Sequence, residues 1–283
     1  MNRRTASLVT IALALVALAC QDPGSDGGAG SGGKPAADLP SSMVALGDSI
    51  TAGFGSCLTL TSCGRNSWAT GDGALVSSHY KRILAGNKAI KGNAVNLASA
   101  GATVNDLPGQ AAAAVGHRPD YVVILIGAND ACRPGIEQMT STKNFEVQFG
   151  AALGTLRAGL PKARVLVVSI PDVYRVWEVA HTRRPAQEAW GLGVCQSLLA
   201  NPTSTATGDV ARRKKFRDRI DAYNGLLASA CQGYGAKCRY DNGAAHNFSF
   251  AMDKLNALDY FHPNVDGQNE LAKLTYPSSF TWG

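Results

Sequence analysis

The stretch Met43-Val44-Ala45-Leu46-Gly47-Asp48-Ser49 joins four consecutive apolar residues to a glycine, an aspartate and a serine. A short apolar run of this kind is typical of a strand buried on both faces, as in a parallel sheet. Such sheets bind ligands beyond the carboxyl ends of their strands. The stretch therefore predicts a buried strand that delivers Ser49 to the edge of a sheet where a site forms.

Similar segments recur along the chain. Apolar, β-branched runs predict further strands at residues 94–97, 121–126, 164–170 and, more briefly, 237–240. Apolar residues at three-to-four spacing predict helices at residues 68–85, 104–115, 145–160, 210–230 and 266–274. Strands that alternate with helices indicate a parallel sheet covered on both faces. We expect an α/β fold, a three-layer α/β/α sandwich around a five-stranded, mainly parallel sheet.

Residues 173–207 interrupt the alternation with a long, proline-containing segment of mixed polarity after the fourth strand. Long connections in compact domains are commonly lids or binding loops. We expect a lid or wall that faces the substrate, and a surface loop without such a role is the alternative.

Polar residues follow the predicted strands at their carboxyl ends. Ser49 follows the first strand, Ser99-Ala100-Gly101 the second and Gly127-Ala128-Asn129-Asp130 the third, while Asp259-Tyr260-Phe261-His262 lies near the end of the chain. A serine hydroxyl becomes a good nucleophile only beside a base, and the base needs a third group to orient it. Because the chain supplies all three groups, hydrolase chemistry is the leading hypothesis.

These four segments resemble, in order and spacing, the sequence blocks of the SGNH hydrolases, also called GDSL esterases and lipases. The second block runs from Asn96 to Gly101, and the resemblance extends over residues 43–275. It implies the flavodoxin-like SGNH hydrolase fold. The run Gly-Asp-Ser-Ile-Thr-Ala-Gly at residues 47–53 and the segment Arg65-Asn66-Ser67-Trp68 are most similar to the phospholipase-B-like and actinobacterial lipase branches.

The resemblance also implies a role for individual residues. Ser49 would be the nucleophile, His262 its general base, and Asp259 the group that orients the imidazole. The oxyanion hole would combine the backbone N–H groups of Ser49 and Gly101 with the side-chain amide of Asn129. No metal and no organic cofactor is implied.

Two acidic residues beside these positions have a structural interpretation. Asp48 is expected to cap the turn before Ser49 by accepting backbone N–H groups, and Asp130 is expected to brace the loop after the third strand.

The predicted reaction is hydrolysis of a carboxylic ester through an acyl-enzyme intermediate, on lipid or short-chain acyl esters. The main alternative is a carbohydrate esterase of the acetylxylan type, which removes acetyl groups from a polysaccharide. A remote alternative is a non-catalytic surface domain that keeps the fold for binding.

Residues 1–19 have the pattern of an export signal, with a basic start, a short apolar stretch and the small-residue site Ala17-Leu18-Ala19. Cys20 directly follows, and a Gly/Ser-rich linker occupies residues 20–38 before a hydrolase domain at residues 39–283. A cysteine at this point is typical of a bacterial lipoprotein, anchored to the membrane by lipid on Cys20. Free secretion is the alternative, because Ala-Leu-Ala also suits ordinary signal cleavage.

The net charge of +6 is mild, and we expect no nucleic-acid partner. The densest basic stretch includes Arg212-Arg213-Lys214-Lys215, Arg217 and Arg219. Apolar residues recur beside it at helical spacing, which favours a solvated helix face over a binding surface for anionic lipid or polysaccharide.

The chain has seven cysteines, and six remain once Cys20 is set aside. An even number in an exported protein fits three disulfides. Six cysteines allow 15 pairings. Short loops favour Cys57–Cys63 and Cys231–Cys238, which leaves Cys132–Cys195.

Overall fold

The computed structural model describes residues 38–282 of the chain. The expected signal peptide, Cys20 and nearly all of the expected linker lie outside these residues. Within residues 38–282, no helix has both the length and the apolar character that a bilayer span requires.

The core is one sheet of five strands in the order β2-β1-β3-β4-β5. The strands are β1 (Met43–Gly47), β2 (Ala94–Asn96), β3 (Tyr121–Leu125), β4 (Arg164–Val167) and β5 (Cys238–Tyr240). All four strand pairs are parallel, and Val44 lies in register between Val95 and Val122. The central strands β1 and β3 are buried at every position, whereas the edge strands are half-buried. The predicted five-stranded α/β fold is confirmed.

Nine α-helices accompany the sheet in residues 38–282. They are α1 (His79–Gly86), α2 (Leu107–His117), α3 (Ala128–Ala131), α4 (Thr142–Gly159), α5 (Tyr174–Ala180), α6 (Arg184–Trp190), α7 (Gln196–Leu199), α8 (Thr207–Tyr234) and α9 (Val265–Thr275). Helix α4 packs between α2 and α8. The buried His79 of α1 lies between the hydroxyl of Tyr121 on β3, at 3.1 Å, and the hydroxyl of Thr275 on α9, at 3.0 Å.

The prediction of a helix over residues 68–85 is wrong for its first half, because helix α1 begins at His79. Residues 68–78 instead form turns that fold the chain back on itself. A Cβ atom on Gly71 would lie 2.5 Å from the carbonyl oxygen of Ser67, so this close approach requires glycine. Ser78 then caps α1 by accepting the N–H of Lys81 at 3.1 Å.

The long segment after β4 forms the three short helices α5, α6 and α7 and is fastened to helix α8 by arginines. Arg212 donates to the carbonyls of Gln196 at 2.9 Å and Ala200 at 2.5 Å, and Arg213 donates to Ser204 at 2.7 Å. The prediction of a solvated basic face is therefore wrong for Arg212 and Arg213. The carbonyls at the end of a helix lack partners within it, and the Arg212 guanidinium group satisfies carbonyls of α7 and of its C-cap Ala200.

Three disulfides join the six cysteines of the described residues in the predicted pairs, Cys57–Cys63, Cys132–Cys195 and Cys231–Cys238. The first closes a loop beside β1, and the third joins α8 to β5. The second spans 63 positions and ties the segment after β4 to the end of α3.

Candidate active site

The turn after β1 fixes the position of Ser49. Gly47 has φ +147°, and a Cβ atom there would lie 2.1 Å from the carbonyl oxygen of Leu125, so no other residue fits. The side chain of Gln110 on α2 accepts the N–H of Gly47 at 2.7 Å and donates to its carbonyl at 2.9 Å. As predicted, Asp48 caps the turn, since it accepts the N–H of Ile50 at 3.0 Å.

Ser49, His262 and Asp259 form a continuous chain of hydrogen bonds. The Nε2 atom of His262 lies 2.9 Å from Oγ of Ser49, and its Nδ1 atom lies 2.7 Å from Oδ2 of Asp259. The other oxygen of Asp259 accepts the N–H groups of Phe261 at 2.9 Å and His262 at 3.1 Å. This arrangement holds the imidazole with Nε2 free to take the serine proton.

The loop that carries His262 is held against the Ser49 turn by side chains from both sides. Asn256 donates to the carbonyl of Gly55, and its own N–H donates to the carbonyl of His262 at 2.8 Å. The ring of Phe54 lies 4.6 Å from the imidazole, centroid to centroid. On α9, the buried Gln268 donates to the carbonyl of Ile50 at 2.9 Å and accepts the N–H of Trp68 at 2.9 Å.

The three groups expected to form the oxyanion hole follow the carboxyl ends of β1, β2 and β3. Within residues 38–282, the N–H groups of Ser49 and Gly101 have no hydrogen-bond acceptor. The amide of Asn129 donates to the carbonyl of Ala102 at 2.9 Å, which leaves its second N–H for another acceptor. Asp130 braces the same loop, as predicted, by accepting the N–H of Val104 at 2.9 Å. The loops after β2 and β3 are thus fastened to each other.

The strand order explains why these groups meet. The chain runs outward from β1 to β2 and then returns across β1 to β3. Helices on the two faces diverge at such a point and leave a crevice at the carboxyl ends of the strands. Ser49 follows β1 and Asn129 follows β3, so both lie at the crevice.

A mainly apolar pocket opens beside Ser49 and His262. Its walls come from the loop after β4, the loop after β5, helix α9 and the loop that carries His262. The apolar lining includes Pro171, Val173, Val176, Phe248, Phe250, Phe261, Leu271 and Leu274. The start of the segment at residues 173–207 therefore forms part of the wall, as expected. An apolar wall of this kind suits an acyl chain.

Two buried carboxyl groups lie behind the site. Burial raises the pKa of Asp48 to about 7, and the nearby carboxylate of Asp130 contributes to the shift. Burial likewise raises the pKa of Asp130 to about 6. Each has one oxygen without a hydrogen-bond partner, Oδ2 of Asp48 and Oδ1 of Asp130. Neither carboxyl group belongs to the Ser49–His262–Asp259 chain.

Comparison with known proteins agrees with this geometry. Residues 45–269 match the model of the GDSL-like lipase/acylhydrolase family. The chain belongs to this family. It is accordingly a carboxylic ester hydrolase, and its substrates are esters. A comparison with curated protein sequences finds no match.

Solved structures are similar to this chain at low sequence identity. The chain is similar to a protein from Parabacteroides merdae described as a GDSL-like lipase, with 18% identity, a TM-score of 0.50, and 82% of this chain and 92% of that one covered. It is also similar to a phospholipase A1 from Streptomyces albidoflavus, with 18% identity, a TM-score of 0.47, and coverage of 82% and 97%. A carbohydrate acetylesterase from Sinorhizobium meliloti, Est24, has 16% identity, a TM-score of 0.49, and coverage of 82% and 94%. At such identities the likeness concerns the fold alone.

Three residues that hold the site of this GDSL hydrolase together from a distance are not among the predicted site residues. Gln110, Asn256 and Gln268 each bond to the backbone of the Ser49 turn or of the loop that follows it. No sequence pattern indicates that a single glutamine in a helix will form a hydrogen bond to a distant backbone group. Asn256 offered a weak signal, since it lies three residues before Asp259 in an otherwise apolar stretch.

Proposed function

We propose that this GDSL hydrolase cleaves esters of apolar acyl groups, with Ser49 as nucleophile, His262 as general base and Asp259 as the group that orients the imidazole. The observation that carries the proposal is the apolar pocket that opens where Nε2 of His262 lies 2.9 Å from Oγ of Ser49. A mainly apolar wall gains free energy from burying methylene groups and offers few partners to sugar hydroxyls. This favours lipid or short-chain acyl esters over an acetylated polysaccharide.

The reaction proceeds in two halves. His262 takes the Ser49 proton while Oγ attacks the carbonyl carbon, and the resulting oxyanion accepts hydrogen bonds from the N–H groups of Ser49 and Gly101 and from the amide of Asn129. The C–O bond to the alcohol then breaks, and His262 returns the proton to the leaving alcohol. Water attacks the acyl-enzyme with His262 again as base, which releases the carboxylic acid and restores Ser49.

A fluorophosphonate probe and a panel of esters test this proposal together. The probe should label Ser49, and Ser49→Ala should lose at least roughly 10⁴-fold in kcat. The matched control Ser77→Ala, at an exposed serine, should retain full activity. Medium-chain acyl esters should have a higher kcat/KM than acetyl esters or acetylated xylan.

Two results would contradict the proposal at different points. A preference for acetylated xylan would make the chain a carbohydrate esterase with the same catalytic residues. Folded protein that hydrolyses no ester and takes no label at Ser49 would favour a binding domain.

We also propose that the chain is exported and tethered by lipid on Cys20. Three disulfides support an oxidising compartment. Cells fed a labelled fatty acid should incorporate it into the wild-type chain and not into Cys20→Ser. If the wild-type chain is fully secreted and carries no label, the proposed export is supported and the proposed lipid anchor is refuted.

A further inference from the structure

Four leucines near the His262 loop have side chains that lie largely in solvent. Their exposed fractions are 86% for Leu58, 48% for Leu60, 89% for Leu192 and 53% for Leu258. We call these four residues the apolar collar. Single exposed leucines are common on protein surfaces, but exposed apolar groups that gather around a site mark an interaction surface.

The collar residues lie on three segments that contact one another around the imidazole. Leu258 lies on the His262 loop itself, between Asn256 and Asp259. Asn256 donates to the carbonyl of Gly55. The N–H of Gly55 in turn donates to the carbonyl of Thr61 at 3.1 Å, and Thr61 lies in the disulfide-closed loop that carries Leu58 and Leu60.

The third segment reaches the same loop from another side. The indole of Trp190 donates to the carbonyl of Tyr260 at 3.3 Å, and Leu192 follows two positions later. The apolar collar is therefore one neighbourhood centred on the His262 loop.

These segments carry almost no charge. Residues 54–64 and 189–208 contain no Asp, Glu, Lys, Arg or His, although 17% of the chain is charged. Among these five residue types, residues 255–262 contain Asp259 and His262, whose side chains are hydrogen-bonded to each other. A surface that meets a charged partner protein or an anionic polymer carries complementary charges, and the collar offers none.

Leu58 has a backbone conformation that a leucine rarely adopts. Its φ is +61°, in the left-handed region, and the Cys57–Cys63 disulfide closes the loop that holds it. Strained backbone persists where the surrounding structure enforces it, and it concentrates at functional positions. The loop thus holds an apolar side chain in water at a conformational cost.

We propose that the apolar collar docks the enzyme onto the surface of a neutral lipid aggregate, with the mouth of the site against the lipid. This inference rests on the proposed hydrolysis of acyl esters. The His262 loop joins the two surfaces, because Leu255 and Phe261 line the pocket while Leu258 belongs to the collar. An acyl chain that leaves the lipid would pass from the collar to the pocket along this loop.

Vesicle binding and hydrolysis of a soluble ester test the inference separately. All forms carry Cys20→Ser, so that no acyl anchor contributes, and the binding assays add Ser49→Ala to prevent turnover. Wild type should co-sediment with phosphatidylcholine vesicles, with little dependence on salt or on added anionic lipid. The triple variant Leu58→Ser/Leu60→Ser/Leu258→Ser should bind these vesicles roughly tenfold more weakly or less.

Two controls separate docking from folding. The triple variant with Ser49 intact should hydrolyse a dissolved short-chain ester with kcat/KM within about twofold of wild type. Leu75→Ser, at an equally exposed leucine outside the collar, should change neither vesicle binding nor hydrolysis. The double variant Leu58→Ser/Leu60→Ser, which spares the His262 loop, should show an intermediate loss of binding.

Several outcomes would overturn the collar as a lipid-docking surface. The first is that the triple variant binds vesicles as tightly as wild type. The second is that wild-type binding requires anionic lipid and disappears in salt. The third is that the collar holds together a dimer in solution that binds no vesicles. If wild type hydrolyses the dissolved ester but binds no vesicle, the docking role of the collar is also refuted, while the proposed function is unaffected. Wild type that hydrolyses no ester would instead remove the proposed function.

Discussion

At the scale of single residues, the site depends on Gly47 and Asp48, the two positions before Ser49. The first has no room for a Cβ atom, and the second keeps a carboxyl group buried with one oxygen unpartnered. A buried acid is more easily kept in its neutral form, because desolvation penalises the carboxylate. We therefore expect the stability of the turn that precedes Ser49 to depend on pH.

Asp48→Asn should change the pH dependence of stability. Because burial raises the pKa of Asp48 to about 7, its contribution is fully present below its ordinary value of 3.8 and is lost as the pH rises through about 7. The variant retains an oxygen for the N–H of Ile50 and cannot ionise. Between pH 4 and pH 8, the unfolding free energy should shift in favour of the variant by up to about 4 kcal/mol.

Urea unfolding at several pH values measures this shift. Asp72→Asn, at an exposed aspartate, is the matched control and should show no such trend. A difference between wild type and Asp48→Asn that stays constant across this pH range would refute the assignment of a buried, neutral carboxyl group.

At the scale of elements, helices position the turns at the strand ends. Helix α2 reaches the Ser49 turn through Gln110, and helix α9 reaches it through Gln268. Each glutamine offers one donor and one acceptor to main-chain groups outside its own helix. The crevice is thus built by backbone bonds to two helices as well as by the sheet.

Gln110→Ala should loosen the Ser49 turn. The N–H of Gly47 loses its acceptor, while its carbonyl keeps the N–H of Ser99 at 3.2 Å. A loss of about 1–3 kcal/mol in unfolding free energy is expected, with a lower kcat on a dissolved ester. Gln110→Glu retains the acceptor but loses the donor to the carbonyl of Gly47 and should recover only part of both, whereas Gln232→Ala, at an exposed helical glutamine, should match wild type. An unchanged kcat in Gln110→Ala would show that the Ser49 turn keeps its position without the Gln110 side chain.

At the scale of the whole molecule, the sheet order and the disulfides bring distant segments together. The Cys132–Cys195 bridge fastens the segment that begins the pocket wall to the end of α3, just beyond Asn129. The wall is thereby cross-linked to the segment that carries Asn129. A long closed loop also restricts the unfolded chain more than a short one does.

Replacing Cys132 and Cys195 by serine should cost about 4 kcal/mol of unfolding free energy, against about 2.5 kcal/mol for Cys231 and Cys238. Replacement of Cys132 and Cys195 should also raise KM, because the pocket wall becomes more mobile. Denaturant midpoints under non-reducing conditions, with KM on one ester, measure both effects. Equal losses for the two double variants would argue against the loop-closure account.

The sequence predicted those parts of the fold that depend on local pattern. Buried strands are recognisable as apolar runs, and the segments at their ends therefore predicted that Ser49, Gly101 and Asn129 lie at one edge of the sheet. The helix expected from residue 68 failed because Gly71 lies against a carbonyl that only the folded chain places there. Arg212 and Gln268 bond to distant backbone atoms, and such contacts depend on three-dimensional proximity, which no local spacing encodes.

The hydroxyl of Ser49 and the imidazole of His262 are 213 positions apart. A ribosome must therefore add 213 residues after Ser49 before the serine can reach its proposed base. Under the proposed mechanism, a nascent chain remains inert toward the lipids of the cell that makes it. A premature stop codon between positions 49 and 262 would likewise yield a protein that has its serine but cannot activate it.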